Sequence, residues 1–261
     1  MKTYYKQLLI LLLLLPSLVL AESWQAESTD HQMAVLELFT SEGCGLCPAA
    51  DRWVHNLPKQ GIDDDHLIVL AFHIDYLNEQ KGWIDSFASP LFSDRQRQLA
   101  NLNLYQSVYT PEFVVSGEVI HNWEKHVKKV IKVVNGFEPE VALSLKVEAQ
   151  EEDLLNIDSH ITVQGDENRQ YSVLYLAVTE GNLISKVNGG DNRGVTFNHQ
   201  NLVRAWLGPF ELDADGDTVF NTVVQLEPEW KSADLSIVAV VQNLDDGFVL
   251  QGLKLHLNKE D

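Results

Sequence analysis

Val35-Leu36-Glu37-Leu38-Phe39-Thr40-Ser41-Glu42-Gly43-Cys44-Gly45-Leu46-Cys47-Pro48-Ala49-Ala50-Asp51 runs from an apolar stretch through a short polar turn to two cysteines three positions apart. The segment Ala34 to Phe39 is mostly apolar and short, which suits a buried strand. Thr40 to Gly43 forms the turn, and Cys44 is expected to open a helix that Pro58 stops. Pro48 is tolerated there because the first turn of a helix has no use for its missing N–H. Free backbone N–H groups and the helix dipole at that end stabilise a thiolate. Cys44 is therefore the expected nucleophile, and Cys47, one turn along, the thiol that resolves a mixed disulfide.

These are the only cysteines among 261 residues. A disulfide closing so short a loop restrains the unfolded chain by roughly 2 kcal/mol before strain is subtracted. A chain of this length buries a core without such a staple, so reactivity is the better reason for the pair. Outward from it, Leu67 to Phe72 reads as a second buried strand and Pro90 to Leu104 as a helix. Phe113-Val114-Val115 turns through Ser116-Gly117-Glu118 into Val119-Ile120, and Trp123 to Val134 carries an apolar face at helical spacing. Strands alternating with helices imply an α/β layer with a partly parallel sheet.

The segment Leu104 to Val119, with Tyr109-Thr110-Pro111 before a buried strand and a Gly turn, resembles the part of thioredoxin-like proteins where a cis-proline sits beside the redox cysteines. The resemblance implies a cis Thr110–Pro111 bond and a groove in which Tyr109, Thr110 and Pro111 receive an extended substrate. Such oxidoreductases often hold a buried acid on the strand entering the site. Glu37 is the candidate for that proton-transfer role, although its offset of seven from Cys44 is one more than usual; the other reading is a satisfied structural glutamate. His73-Ile74-Asp75-Tyr76 leaves the second strand at the edge where α/β sites gather. His73 and Asp75 are candidates for tuning the thiolate, or else for ordering the insertion from about 77 to 105. Trp83, Phe87 and Phe92 in that insertion either cap the site or bury the insertion itself.

Taken with Gly82-Trp83, Gly190-Asp191-Asn192-Arg193-Gly194, His199 to Arg204 and Val238 to Gln242, these motifs resemble a family of secreted bacterial proteins, domain of unknown function 1223. The resemblance spans nearly the whole chain after its leader. It implies a thioredoxin-like fold and export, without a settled activity.

After Glu138-Pro139-Glu140 the pattern changes. Val141 to Val147, Ile157 to Val163, Tyr171 to Val178, Thr222 to Leu226, Leu235 to Val241 and Leu250 to Leu257 read as strands divided by Gly, Asn and Asp clusters. They predict an all-β, sandwich-like domain over 138–261, following the α/β thioredoxin-like domain over 22–137. Asp191, Asn192, Arg193, His199 and Arg204 form a polar cluster expected to face the first domain or a partner. Asp213-Ala214-Asp215-Gly216-Asp217 has the acidic spacing of a calcium loop, but its glycine comes too early and its twelfth position is Val224. It reads as a solvated hairpin turn.

Residues 1–21 follow the three-part pattern of a cleaved secretory signal: Lys2 and Lys6, the apolar run Leu8 to Leu15, then Val19 and Ala21 before the cut. Cleavage moves the net charge from −19 to −21. So acidic a protein repels nucleic acid and anionic membranes, so neither is an expected partner. The expectation is an exported, periplasmic or secreted thiol–disulfide oxidoreductase with no cofactor, acting on protein or peptide thiols and disulfides and recharged by a redox partner protein. The alternatives are a non-catalytic interaction protein, and a copper protein holding Cu(I) with Cys44, Cys47 and His73.

Overall fold

A computed structural model describes residues 22–80 and 82–258; the expected signal peptide lies outside them. The chain runs through β1 (Ser23–Glu27), β2 (Ala34–Thr40), α1 (Cys47–His55), β3 (Leu67–His73), α2 (Pro90–Leu102), β4 (Glu112–Val115), β5 (Glu118–Val119) and α3 (Trp123–Val134). It continues through β6 (Val141–Ala149), β7 (Leu154–Val163), α4 (Asp166–Tyr171), β8 (Ser172–Glu180), β9 (Leu183–Lys186) and β10 (Thr196–His199). The last strands are β11 (Leu202–Glu211), β12 (Asp217–Gln225), β13 (Leu235–Asn243) and β14 (Val249–His256).

Every residue of β2 and β3 is buried, and the two strands pair in parallel. Strands covered on both faces need apolar residues at nearly every position, and theirs supply them. They lie inside one eight-stranded sheet of order β14-β13-β8-β11-β3-β2-β4-β5. Strands from before and after residue 138 thus share hydrogen bonds in one sheet, with β11 joining β3 at Leu202.

Side-chain alternation sends the sheet's two faces into different cores. Leu36, Leu38, Val69 and Phe113 pack against Ala50 of α1 and Val127, Ile131 and Val134 of α3. Further along the sheet, Leu174, Leu176, Ile237 and Ala239 meet Leu143, Val147, Ile157 and Ile161 from a second sheet of order β1-β6-β7-β12. On the opposite face Val35, Phe39, Leu70 and Phe72 pack with Phe92 and Leu99 of α2, and with Tyr175 and Trp206.

Three differences from the sequence reading have local causes. α1 begins at Cys47, because Cys44 and Cys47 donate their backbone N–H groups to Ser41 and Cys44 carbonyls in two successive turns. β11 escapes the period-two pattern, since register shifts at Val203/Ala205 and Leu207/Phe210 interrupt its alternation. β9 and β10 form a separate two-stranded ribbon of mostly polar residues, which places a hairpin over the end of β2. Asp213 to Asp217 forms the turn between β11 and β12, with Gly216 at φ +82°.

Candidate functional site

The two cysteines carry free thiols at the top of β2. Cys44 keeps 5% of its surface exposed, and Cys47 none. Only Cys44 is within reach of a partner, and Leu46 between them is 73% exposed. In its thiol form Cys44 Sγ donates to the Thr110 carbonyl at 3.6 Å, and the Thr110–Pro111 peptide is cis. The Cys44 thiol is lowered to about 6, above all by its hydrogen bond with Cys47; burial opposes this, while the Thr110 side chain and the backbone N–H groups of Leu46 and Cys47 add to it. Cys47 moves the other way, pushed well up by burial and by the neighbouring Cys44. One sulfur is thus a thiolate at neutral pH and the other a thiol, the division of labour that exchange requires.

Glu37 does not reach this pair. β2 alternation sends it to the other face of the sheet, where both oxygens accept from Arg95 of α2, Oε1 from Nη2 at 2.8 Å and Oε2 from Nε at 2.9 Å. The acid beside the cysteines is Asp51, one helical turn beyond Cys47. Thr40 Oγ1 donates to Asp51 Oδ1 at 3.2 Å, and Asp51 Oδ2 is buried. Burial raises the Asp51 carboxyl to about 7, with His73 and Thr40 opposing. Its i, i+4 spacing from Cys47 places it on the same helix face, but the spacing alone does not mark it as a site residue.

A raised carboxyl pKa is also a statement about stability. Folded Asp51 holds its proton up to about pH 7, whereas the unfolded chain releases it near the ordinary 3.8. Stability on this account is undiminished below about pH 4 and falls as pH rises toward 7. Asp51→Asn is therefore expected to be more stable than the natural protein at pH 8, by of the order of 4 kcal/mol at about 1.4 kcal/mol per unit, and little different at pH 4. Urea unfolding at the two pH values checks it; equal gains at both would rule out this cause.

His73 ends β3 with Nδ1 2.7 Å from Asp85 Oδ2. Burial resists its charge, but Asp85, Asp51 and Glu42 outweigh that and raise it. Asp75 turns elsewhere, accepting from Ser93 Oγ at the start of α2. Of the insertion's aromatics, Trp83 donates Nε1 to Glu42 Oε2 at 2.9 Å, Phe87 packs edge-on to His73, and Phe92 joins the core. Tyr109 is exposed at the rim, its hydroxyl 3.1 Å from His121 Nδ1, and His121 Nε2 meets Tyr105.

The polar cluster of the second half divides. Asn192 donates Nδ2 to the carbonyls of Glu42 and Cys44, at 2.8 and 2.7 Å, and His199 Nε2 lies 3.0 Å from Glu42 Oε1. The β9–β10 hairpin thereby clamps the turn that carries Cys44. Arg204 instead pairs with Glu180 and packs over Phe87 and Trp230. Among the described residues no group of three or more His, Cys, Asp and Glu is arranged to hold a metal. No helix among them is long and apolar enough to cross a membrane.

A mixed α/β protein with a two-cysteine turn docked against a cis-proline loop is what this fold and site define. The family model described as a protein of unknown function, DUF1223, matches residues 35–242, and the chain belongs to that family. No curated protein matches it. Among solved structures it is similar to HBP35 of Porphyromonas gingivalis, at 19% identity and a TM-score of 0.71 over 89% of this chain and 77% of that one. It is also similar to the crystal structure of a protein from Agrobacterium tumefaciens, at 21% identity and a TM-score of 0.61 over 90% and 98%. At such identities the likeness speaks to the fold alone.

Proposed function

We propose that this chain is an exported thiol–disulfide oxidoreductase with a thioredoxin-like core, acting on protein or peptide disulfides. The observation that carries the reading is the asymmetry of the pair: Cys44 just reaching solvent against Thr110 and the cis-proline, Cys47 fully buried behind it beside Thr40 and Asp51. Cys44 Sγ attacks a substrate sulfur, whose partner sulfur leaves as a thiolate. Cys47 then attacks Cys44 Sγ, the second substrate sulfur leaves, and Asp51 takes the proton that Cys47 gives up. The substrate disulfide is reduced as the cysteine pair is oxidised, and the same steps reversed introduce a disulfide into a substrate dithiol.

The backbone beside Pro111 and the exposed Leu46 and Tyr109 receive an extended chain.

The test is the reduction potential of the pair in glutathione buffers, with metal content measured on anaerobically purified protein. A potential between about −270 and −120 mV without metal is the expected result, as for known exchangers. Stoichiometric copper that is lost on Cys44→Ser would replace this reading with the metal one. A potential below about −300 mV would mark an inert structural disulfide.

A further inference from the structure

Behind the cysteines lies a small, partly open cavity of about 30 Å³, lined by Leu38, Asp51, Val69, Ala71, His73 and His199 among others. Two of its lining residues each hold a buried polar atom with no hydrogen-bond partner among the described residues: Asp51 Oδ2 and His73 Nε2. Both side chains are otherwise fixed, Asp51 through Thr40 and His73 through Asp85. Buried polar atoms are nearly always satisfied, so two orphans at one cavity call for a common explanation. A cavity needs about 10–15 Å³ to hold a water, and the water needs at least two polar partners. This one offers the room and the two partners.

We propose that a buried water in this cavity joins Asp51 to the His73–Asp85 pair, making His73 a positioning residue that exchanges a proton with Asp51 during disulfide exchange. The inference rests on the oxidoreductase reading. When Cys47 Sγ attacks Cys44 Sγ of a mixed disulfide, its electron pair forms the new S–S bond. The old S–S bond breaks, and its electron pair leaves with the substrate sulfur. The Cys47 proton passes to the Asp51 carboxylate and then, through the water, to His73 Nε2, whose Nδ1–H is held by Asp85. Reduction of the pair runs the path backwards.

The groups facing His73 are Asp85 from the loop before α2, Asp51 from α1, Glu42 from the turn after β2, and His199 from β10. Those facing Asp51 are His73, Cys44, Cys47, Thr40 and Asp85, with His55 also at the cavity wall. Once Nε2 has taken up the proton, His73 is the cation in this set that favours ionised Asp51. Removing it leaves burial and acidic neighbours, both of which favour protonated Asp51.

The test follows the rate of resolution of a mixed disulfide formed with a fluorescent peptide disulfide, across pH 5 to 9, in the full chain. His73→Gln is expected to shift the midpoint of the pH profile upward by about one unit or more, and Asp85→Asn to shift it in the same direction. Resolution in folded His73→Gln with an unmoved midpoint overturns the relay while leaving the oxidoreductase reading standing. No exchange by the natural protein at any pH would instead remove that reading. Should His73→Gln fail to fold, NMR titration of the natural protein decides, through Asp carboxyl carbons and His ring nitrogens. Asp51 and His73 must titrate as a coupled pair; independent curves, or a crystal structure with the cavity dry, overturn the proposal.

Discussion

Cys44→Ser is expected to lower disulfide exchange to background, a loss of about a thousandfold or more, because no other thiol is left at the surface. Cys47→Ser is expected to fail differently. It retains the nucleophile and its Thr110 contact, so attack on a disulfide proceeds, but nothing resolves the product. The mixed disulfide should accumulate and appear by mass spectrometry as one added peptide per chain, removed by a reductant. Alkylation gives a second reading of the same asymmetry. In the reduced natural protein, one equivalent of iodoacetamide should react with a midpoint near pH 6, since the Cys44 thiol is held at about 6. Cys47, with no exposed surface, should stay unmodified in the folded state. Exchange surviving in Cys44→Ser, or alkylation falling first on Cys47, would reverse the assignment of roles.

What the sequence could and could not disclose follows from how far each signal is local. β2 and β3 were legible because a strand buried on both faces must be apolar throughout, and α3 because its apolar residues repeat at helical spacing. Cys44, Cys47 and the Thr110–Pro111 segment were legible as motifs. The long-range assembly was not. Nothing in Leu202 to Glu211 says that this bulged stretch bridges β3 and β8, and so carries one sheet across the position near 138 where the pattern changes. The site suffers from the same limit. Asn192 and His199 reach the Cys44 turn from about 150 residues away, through a hairpin whose sequence has little periodicity. Asp51 was present in the quoted motif, but its role depends on Thr40 and His73 closing around it, which spacing alone does not reveal.

Glu37 carries the opposite lesson, and with it the largest expected effect on stability. Arg95→Met should destabilise the protein by about 3–5 kcal/mol, because it leaves the Glu37 carboxylate buried without its cation. Glu37 and Arg95 side chains are each 1% exposed, and the guanidinium meets both carboxylate oxygens. The same guanidinium lies 4.7 Å from the Tyr175 ring centre and 5.1 Å from that of Trp206. It therefore ties β2 and α2 to β8 and β11, elements from both sides of residue 138. Replacing both partners, as in Glu37→Leu with Arg95→Met, removes the unpaired charge and should recover most of the loss. Urea unfolding of the two single variants and the double variant closes the cycle. A strongly favourable coupling energy is expected, and a value near zero would show that the pair is not the buried unit described. Activity supplies the second discriminator. If Glu37 moved protons for Cys47, folded Glu37→Gln would slow resolution and shift its pH profile. With Glu37 on the far face of β2, that variant should lose stability and leave the profile of the resolving step where it was.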